Sequence, residues 1–391
     1  MSTPASSDEQ HMRRALDLAK AGVGLVSPNP AVGAVVVDSS GREVGSGTHT
    51  YDGIKHAEVL ALEQAGDAAR GGTLYLNLEP CSHQGRTEPC ADAVIATGIR
   101  RVVCSMEDPN PRVAGRGFAK LRASAIKVEV GLYEAEAKKL NESFAKHIRS
   151  GKPLVTLKSA MTLDGKIADA TKPGSEPGSA VPAMEGARSG YHWITGEVAR
   201  AHVQQLRHQS DAIMAGVGTV MADDPLLTDR SGLPRRRKLL RVILDSYLRI
   251  PLTSRVIRTA DNDVLVLCSA AEASAKQALE AKRVRVQQIP AANADGRPDF
   301  AAIVQSLGEL EVTSVLLEGG ALVNGAALAS GEVDKVFLYY APKILGEGAV
   351  PFIASEGLRG RAQCVRRFEL HRFGEDFALE GYLRDPYAGQ V

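Results

Sequence analysis

A histidine, a glutamate and two cysteines near the start of the chain have the types and order that zinc-dependent hydrolysis requires. His56 and Glu58 open a predicted helix, Cys81 follows a predicted strand, and Cys90 starts the next predicted helix. One imidazole and two thiolates leave a fourth zinc position open for water. Helix N-termini favour such anionic groups. Glu58 can reach this water without being a ligand and can pass its proton to a leaving amine. We therefore predict hydrolytic deamination of an amidine-like carbon in a heterocycle.

Each part of this pattern is common by itself, and the alternative is two unrelated buried thiols near an ordinary histidine. The pattern resembles the zinc-dependent nucleobase deaminases, whose usual second motif is Pro-Cys-x-x-Cys. Here eight residues separate Cys81 from Cys90. His83 lies between them, and we assign it to a loop because a fourth protein ligand would displace the water.

A second group of residues could bind a dinucleotide. The segment from Gly216 to Met221 lacks the third glycine of a Gly-x-Gly-x-x-Gly motif, so a glycine-rich turn explains it equally well. Glu318-Gly319-Gly320, between a predicted strand and helix, is a better phosphate cradle because glycine permits close approach to free helix N–H groups. A simple strand-to-helix turn is the alternative there as well.

Composition limits the classes of protein to which the chain can belong. Its 391 residues suggest two domains at ~100–200 residues each. The 47 basic and 46 acidic residues give a net charge of +1, so we expect no nucleic-acid or membrane partner. The polar start differs from a signal peptide. We expect a cytoplasmic protein whose odd number of cysteines forms no disulfide framework. Three of the five are expected only to pack as small buried groups: Cys104, Cys268 and Cys364.

Strands alternate with helices throughout, which predicts two layered α/β domains. A capping box at Ser7 and Gln10 should start the first helix. The pattern restarts near Gly151, so we place a deaminase domain at 1–150 and a second domain at 151–391.

The Pro- and Gly-containing stretch 172–190 is expected to be a surface excursion. The basic run from Arg235 to Lys238 is expected to be a solvated strand entry.

Four motifs of the first domain carry a family resemblance: Pro28-Asn29-Pro30-Ala31-Val32-Gly33, His56-Ala57-Glu58, the run from Glu79 to Cys90, and the run from Asp108 to Gly115. With them, residues 9–131 resemble the deaminase domain of the bifunctional riboflavin-biosynthesis deaminase/reductase family. The resemblance implies a cytidine-deaminase-like fold, zinc at His56, Cys81 and Cys90, catalysis by Glu58, and substrate contacts at Asn29 and His49. The family usually has Gly-Gly-Pro where this chain has Gly53-Ile54-Lys55, so we expect that substrate loop to differ.

The second domain resembles the reductase half of the same family over most of residues 153–355, through the run from Leu157 to Ala168, Trp193-Ile194-Thr195-Gly196, the run from Asp223 to Thr228, and Leu317-Glu318-Gly319-Gly320. The resemblance implies a dihydrofolate-reductase-like fold that uses NADPH. Implied cofactor contacts are Ala160, Trp193, Thr219, Asp223, Ser246 and a loop of Gly320, Ala321, Leu322, Val323, Asn324, Gly325 and Ala326. Implied substrate contacts are Lys158, Arg207, Leu227, Arg230 and Glu318. Two arginines can grip a ribose phosphate in forked geometry, and Glu318 can bind sugar hydroxyls.

The chain departs from the reductase half of the family in one place. The link before Trp193 is longer than usual by roughly fifteen residues. Tyr191 falls where the family often has a small polar substrate contact.

The leading hypothesis is a two-step enzyme with Zn²⁺ and NADPH as cofactors. Its first domain removes the 2-amino group of a diaminopyrimidinone ribosylamino phosphate, and its second reduces the ribosyl chain to ribityl. A nucleic-acid base deaminase with an accessory domain is one alternative. A zinc-stabilised binding module and a deaminase with an inactive reductase half are the others. The family resemblance also implies a homo-oligomer.

Overall fold

Two β-sheets flanked by helices form the architecture. In this computed structural model, residues 6–82, 88–169, 193–292, 296–354, 358 and 362–388 are described. A five-stranded sheet contains strands from residues 33–130, and a nine-stranded sheet contains strands from residues 154–382. The predicted α/β class is confirmed. None of the helices in these described ranges is long and apolar enough to cross a membrane.

The first sheet has the strand order β2-β1-β3-β4-β5, in which β1 pairs antiparallel with β2 and β3, and β3, β4 and β5 run parallel. Its core is built from buried valines, leucines and alanines of the strands and of α1 to α4. The elements are α1 (Ser7–Ala21), β1 (Gly33–Val37), β2 (Glu43–Thr48), α2 (Ala57–Ala65), a 3₁₀ turn (Gly66–Ala69), β3 (Thr73–Leu76), α3 (Cys90–Thr97), β4 (Arg101–Cys104), α4 (Arg116–Ala123), β5 (Lys127–Val130), α5 (Glu134–Leu140) and α6 (Glu142–Ser150).

Two glycines of β2 allow α2, which follows His56, to lie directly on the sheet. A Cβ atom on Gly45 would come within 2.1 Å of the carbonyl oxygen of Ala61, and one on Gly47 within 2.2 Å of that of Ala57. Real Cβ atoms do not approach a carbonyl this closely, so any side chain at either position would push the helix away. The small residues of β2 therefore fix the position from which His56 and Glu58 project.

The second sheet has the order β11-β10-β9-β8-β12-β6-β13-β16-β15, with its first seven strands parallel and a C-terminal antiparallel hairpin. Strands β7 and β14 form a separate pair. The elements are β6 (Leu154–Thr162), β7 (Lys166–Ala168), α7 (Glu197–Gln209), β8 (Ala212–Gly216), α8 (Val217–Asp223), β9 (Leu240–Leu244), α9 (Arg255–Arg258), β10 (Val264–Cys268), α10 (Ala273–Glu280), β11 (Val284–Gln288), α11 (Phe300–Glu309), β12 (Ser314–Leu317), α12 (Ala321–Ser330), β13 (Lys335–Ala341), β14 (Val350–Pro351), β15 (Arg366–Phe373) and β16 (Asp376–Tyr382).

Two local predictions were wrong. The capping box of α1 lies one residue earlier, since Ser6 Oγ accepts from the Glu9 backbone N–H and Ser6 N donates to Glu9 Oε2. Of the cysteines expected to pack, Cys104 and Cys268 are buried, but Cys364 is exposed. The predicted helix after Gly320 is confirmed as α12, so the cofactor contacts implied there as a loop lie on a helix. Neither α7 nor the β15–β16 hairpin was predicted from the sequence. Residues 83, 172–190 and 191 lie outside the described parts of the chain.

The basic run at 235–238 was predicted from the sequence to be a solvated strand entry. For three of its four residues this prediction is wrong. Arg235 donates to three backbone carbonyls at the end of α7 and to Asp229. Arg236 contacts Ser27 and Asp52, which belong to the N-terminal part of the chain. Arg237 donates to Ser27 Oγ at 3.0 Å. Only Lys238, which pairs with Asp261, is largely exposed. This run therefore joins the two parts of the molecule.

Candidate active sites

The three predicted zinc ligands converge in the structure. His56 Nδ1 lies 3.0 Å from Cys90 Sγ and 3.7 Å from Cys81 Sγ, and the Cys90 backbone N–H donates to Cys81 Sγ at 3.3 Å. His56 is the N-cap of α2, and Cys90 is the first residue of α3. A hydrogen bond from the Cys90 thiol, assisted by His56, lowers the pKa of the Cys81 thiol to about 4. Two sulfurs and one nitrogen within 4.8 Å of one another are the donor set that zinc prefers.

Glu58 lies beside this cluster as a buried carboxylate. It is only 4% exposed, and its Oε2 atom has no hydrogen-bond partner among the described residues. Burial raises the pKa of the Glu58 carboxyl to about 7. A buried oxygen that lacks a partner is costly unless a ligand or water satisfies it. The residues present therefore fit a zinc ion with a water molecule beside Glu58.

Asn29 and His49, the two other predicted contacts in this domain, lie next to each other near the cluster. Asn29 Nδ2 is 3.1 Å from His49 Nε2, and His49 Nδ1 is 3.1 Å from the Lys55 carbonyl oxygen. The His49 and His56 rings are edge to face with centroids 5.2 Å apart. The structure thus brings together an amide, an imidazole and the ligand cluster at one end of α2.

The segment that follows Asn29 is anchored by two buried asparagines that were not singled out from sequence. Asn77 accepts from Gly33 N and donates to the Ala31 carbonyl, both at 2.9 Å. Asn141 accepts from Ala31 N at 2.8 Å. A buried asparagine that mimics a neighbouring strand leaves no periodic signal in the sequence, so only the fold shows this role.

Glu79 is another residue whose role the sequence did not show. Its buried carboxylate accepts backbone N–H bonds from Asp108, Gly115 and Phe118 at 2.9–3.1 Å. These donors lie in the loop that carries the motif from Asp108 to Gly115 and in the first turns of α4. Charge-assisted bonds of this kind are stronger than neutral ones. Glu79 therefore holds this loop beside the strand end that leads to Cys81.

The second site lies at the carboxyl ends of the parallel strands. Ser246 follows β9, Thr219 follows β8, and Glu318 and Gly320 follow β12. These strands are neighbours in the sheet, so residues that are far apart in sequence meet at one edge. In open parallel sheets this edge is where ligands bind. A Cβ atom built on Gly320 would lie 3.6 Å from Thr219 Oγ1, which shows how close the two turns come.

Glu318 is the centre of a buried ion network in this site. Arg207 donates to it twice, from Nε at 2.8 Å and from Nη2 at 3.0 Å, and Lys158 Nζ lies 3.5 Å from its Oε2. Burial by itself would raise the pKa of Glu318, but Arg207 and Lys158 lower it to about 2. The remaining Nη1 of Arg207 donates to the Thr228 carbonyl. The Arg207 fork is thus already occupied by Glu318, whereas we had expected it to be open to phosphate.

The other predicted contacts of this site differ in exposure. Ala160 on β6 is half-buried, Leu227 is buried with a φ of 54°, and Arg230 is exposed. Trp193 is 60% exposed, and the Arg200 guanidinium lies 5.0 Å from the centroid of its ring. Asp223 ends α8 and is exposed. Leu227 is the exception among these residues because its side chain belongs to the core.

Within the segment from Gly320 to Ala326, mainly the first turn of α12 is accessible to a cofactor. Gly320 is the N-cap of α12 and makes no side-chain capping bond, so the helix N-terminus keeps free backbone donors. Asn324 is fully buried and donates to the Phe352 carbonyl, and Gly325 is also buried. Free N–H groups at a strand-to-helix turn fit the diphosphate of a dinucleotide. The residues present therefore fit NADPH at the Gly320 turn.

Comparisons with known proteins agree with both sites. Residues 153–379 match the family profile described as the RibD C-terminal domain, and residues 5–106 match the cytidine and deoxycytidylate deaminase zinc-binding region. The chain is 40% identical over 374 residues to riboflavin biosynthesis protein RibD of Aquifex aeolicus, covering 95% of this chain and 97% of that protein. It is 38% identical to the Escherichia coli protein of the same name, covering 95% and 98%.

Solved structures give the same result. Acinetobacter baumannii RibD superimposes with a TM-score of 0.79 at 34% identity, covering 96% of this chain and 98% of that one. A Thermotoga maritima structure has a TM-score of 0.76 at 35% identity with the same coverage, and its name joins a deaminase and a reductase. The predicted combination of a zinc-dependent deaminase and an NADPH-dependent reductase is thereby confirmed. The chain belongs to the RibD family of riboflavin biosynthesis proteins.

Proposed function

We propose that the chain deaminates a diaminohydroxyphosphoribosylaminopyrimidine and then reduces the resulting 5-amino-6-(5-phosphoribosylamino)uracil. These are the reactions in the name of the Thermotoga maritima protein that this chain resembles. The observation that carries the proposal is the convergence of His56, Cys81 and Cys90 beside the unpartnered carboxylate of Glu58. This arrangement has three ligands and a proton carrier, which hydrolytic deamination requires.

In the first reaction, His56, Cys81 and Cys90 would hold zinc, which supplies a water activated for attack. Glu58 takes one proton of that water on its free oxygen and gives it to the ring nitrogen. It then carries the second proton, from the newly added hydroxyl, to the amine, so that ammonia leaves and a carbonyl remains. Asn29 and His49 bind the pyrimidine at the adjacent position. Because Glu58 is only 4% exposed, its carboxylate is shielded from bulk water during this proton transfer.

In the second reaction, the backbone N–H groups of the Gly320 turn would hold NADPH, which would supply a hydride when bound. Ala160, Trp193, Thr219, Asp223, Ser246 and the first turn of α12 would line its site. Glu318 accepts hydrogen bonds from the sugar hydroxyls, and Arg207 and Lys158 hold it ionised for this purpose. The exposed Arg230 provides a positive charge for the substrate phosphate.

We further propose that the two activities divide near Gly151, which ends α6 and precedes β6. A homo-oligomer is proposed because β15 is an edge strand whose Phe368 and Leu370 are 60% and 66% exposed. Five free thiols, two of them proposed zinc ligands, favour a reducing compartment such as the cytoplasm.

Incubation of the enzyme with the diaminopyrimidine phosphate, with and without NADPH, tests the proposal. Ammonia should be released equally in both cases, and NADPH oxidation should start only after ammonia release. NADPH oxidation that precedes deamination would reverse the order of steps. Ammonia release from tRNA or single-stranded DNA, with none from the small phosphate, would contradict the proposed substrate.

A further inference from the structure

One arginine of the C-terminal part of the chain contacts both N-terminal segments that lead to the proposed pyrimidine pocket. Arg236 Nη1 donates to the Ser27 carbonyl at 3.0 Å, and its Nε donates to Asp52 Oδ1 at 3.1 Å. Its guanidinium carbon lies 3.5 Å from the centroid of the Tyr51 ring. Ser27 is two residues before Asn29, and Tyr51 is two residues after His49.

These contacts bear directly on the Asn29–His49 pair. Asn29 precedes β1 and His49 follows β2, so the two side chains lie 3.1 Å apart at the same end of this antiparallel pair. Their separation therefore depends on how the segment 25–29 lies against the segment 49–52. Tyr51 N donates to the Leu25 carbonyl, which is one direct link between them. The Arg236 guanidinium supplies a second link, because it binds one segment through Ser27 and the other through Tyr51 and Asp52.

Both domains hold Arg236 in place. The backbone N–H of Arg236 donates to the Gly24 carbonyl of the N-terminal domain at 2.9 Å. Its neighbour Arg235 donates to the carbonyls of Arg207, His208 and Ser210 at the end of α7. The Arg236 side chain is only 20% exposed, so both its stacking and its hydrogen bonds are partly shielded from water.

We propose that Arg236 is a positioning residue for deamination, by which the reductase half of the chain holds the pyrimidine pocket of the deaminase half in its binding geometry. This inference depends on the proposed roles of Asn29 and His49. Since Arg236 acts through these two residues and not on the zinc ligands, it should affect substrate binding more than the chemical step.

Deaminase kinetics of full-length Arg236→Gln test the proposal, with ammonia release as the readout. The KM for the diaminopyrimidine phosphate should rise about three- to tenfold, the range expected for loss of one partly shielded stacking and ion-pair contact. The kcat and the zinc content should stay close to wild type. NADPH oxidation with the deaminated intermediate should be unchanged. The KM of Arg236→Lys should lie between those of wild type and Arg236→Gln, because a lysine keeps the charge that pairs with Asp52 but loses the forked guanidinium.

Two further variants make the test specific. Lys238→Gln is the matched control, because Lys238 pairs with Asp261 of its own domain, and its KM should equal that of wild type. Tyr51→Leu should raise the KM as Arg236→Gln does, because it removes the ring on which the guanidinium stacks. An unchanged KM in Arg236→Gln would overturn the inference. So would a parallel loss of zinc, reductase activity and thermal stability, since that pattern marks a purely structural residue.

Kinetics of Asn29→Ala and His49→Ala separate this inference from the proposed function. If neither variant changes the deaminase KM, the proposed pyrimidine pocket is wrong and the inference fails with it. If both raise the KM but Arg236→Gln does not, only the inference about Arg236 is overturned.

Discussion

The two active sites each contain a buried carboxylate, and the two are held in opposite ways. Glu58 has an oxygen without a partner among the described residues. Of the proposed metal ligands beside it, His56 favours the charged carboxylate, whereas Cys81 disfavours it. Glu318 is bonded twice by Arg207 and lies close to Lys158. Burial raises the pKa of Glu58, whereas the two cations lower that of Glu318 to about 2.

This difference shows what each carboxylate can do. An oxygen that is left open can accept a proton and release it, which is the task of a general base and acid. A carboxylate fixed by a forked arginine stays charged and keeps its orientation, which suits hydrogen bonding to sugar hydroxyls. Hydrolysis needs the first kind of group. Hydride transfer leaves the chemistry to the cofactor and needs the second kind.

Removal of zinc should have the largest effect and should act on one site only. Dialysis against a chelator is expected to abolish ammonia release, because activated water requires the metal. NADPH oxidation with the deaminated intermediate should persist, since its proposed residues lie on the other sheet. Metal content and both rates are measured on the same sample, and added Zn²⁺ should restore ammonia release. Full ammonia release by metal-free protein would contradict the zinc site.

Arg230→Gln should weaken the reductase step next most strongly. Loss of a charge-assisted bond to a phosphate costs about 1.5–3 kcal/mol, which corresponds to roughly a 10- to 150-fold higher KM. The substrate used is the deaminated intermediate, and the KM for NADPH should not change. Arg249→Gln is a suitable control, because Arg249 is also exposed but pairs loosely with Asp245. Equal KM values of Arg230→Gln and Arg249→Gln for the deaminated intermediate would show that the substrate phosphate does not bind at Arg230.

Glu79→Gln should destabilise the deaminase site without touching the reductase site. A glutamine offers one acceptor oxygen where Glu79 offers two, so at least one buried N–H among Asp108, Gly115 and Phe118 loses its partner. Such a loss costs about 1–3 kcal/mol. Thermal unfolding and ammonia release should both show the change. Glu107→Gln, at an exposed position nearby, is the control. A Glu79→Gln protein as stable as wild type would show that these hydrogen bonds contribute little to stability.

Cys364→Ser should have the smallest effect. The thiol is exposed and lies outside both sites, so the free energy of unfolding should change by less than about 0.5 kcal/mol. Both activities should remain at wild-type levels, as measured by ammonia release and NADPH oxidation. Loss of either activity would assign this thiol a role that neither site accounts for.

The sequence predicted the deaminase site more completely than the reductase site. His56, Glu58 and Cys90 lie at helix starts, and their spacing indicated both the ligands and the proton carrier. Local spacing was sufficient because each helix start brings its residue to the same point. Asn77, Asn141 and Glu79 were missed since their partners are distant backbone groups, and nothing in the surrounding pattern marks them.

The reductase site depends on strand order, which the sequence does not show directly. Thr219, Ser246 and Glu318 come together because β9, β8 and β12 are neighbours in the sheet. The sequence indicated these residues only through family resemblance, and it did not predict that Arg207 is paired with Glu318. The helix α7, which carries Arg207, was not predicted, although its buried residues Ala199 and Val203 are four apart, as on one face of a helix. The basic run at 235–237 was misread because its partners are distant in sequence. Arg235 bonds to the end of α7 in its own domain, and Arg236 and Arg237 bond to Ser27 in the other.

Measurement of both reactions in Glu58→Gln and Glu318→Gln tests the contrast between the two carboxylates most directly. Glu58→Gln should bind zinc and oxidise NADPH with the deaminated intermediate normally, while ammonia release falls about 10²- to 10⁴-fold. Glu318→Gln should release ammonia normally and lose most of its NADPH oxidation. A Glu58→Gln protein that keeps full deaminase activity, or a Glu318→Gln protein that loses both reactions to the same extent while still folded and zinc-loaded, would contradict this account.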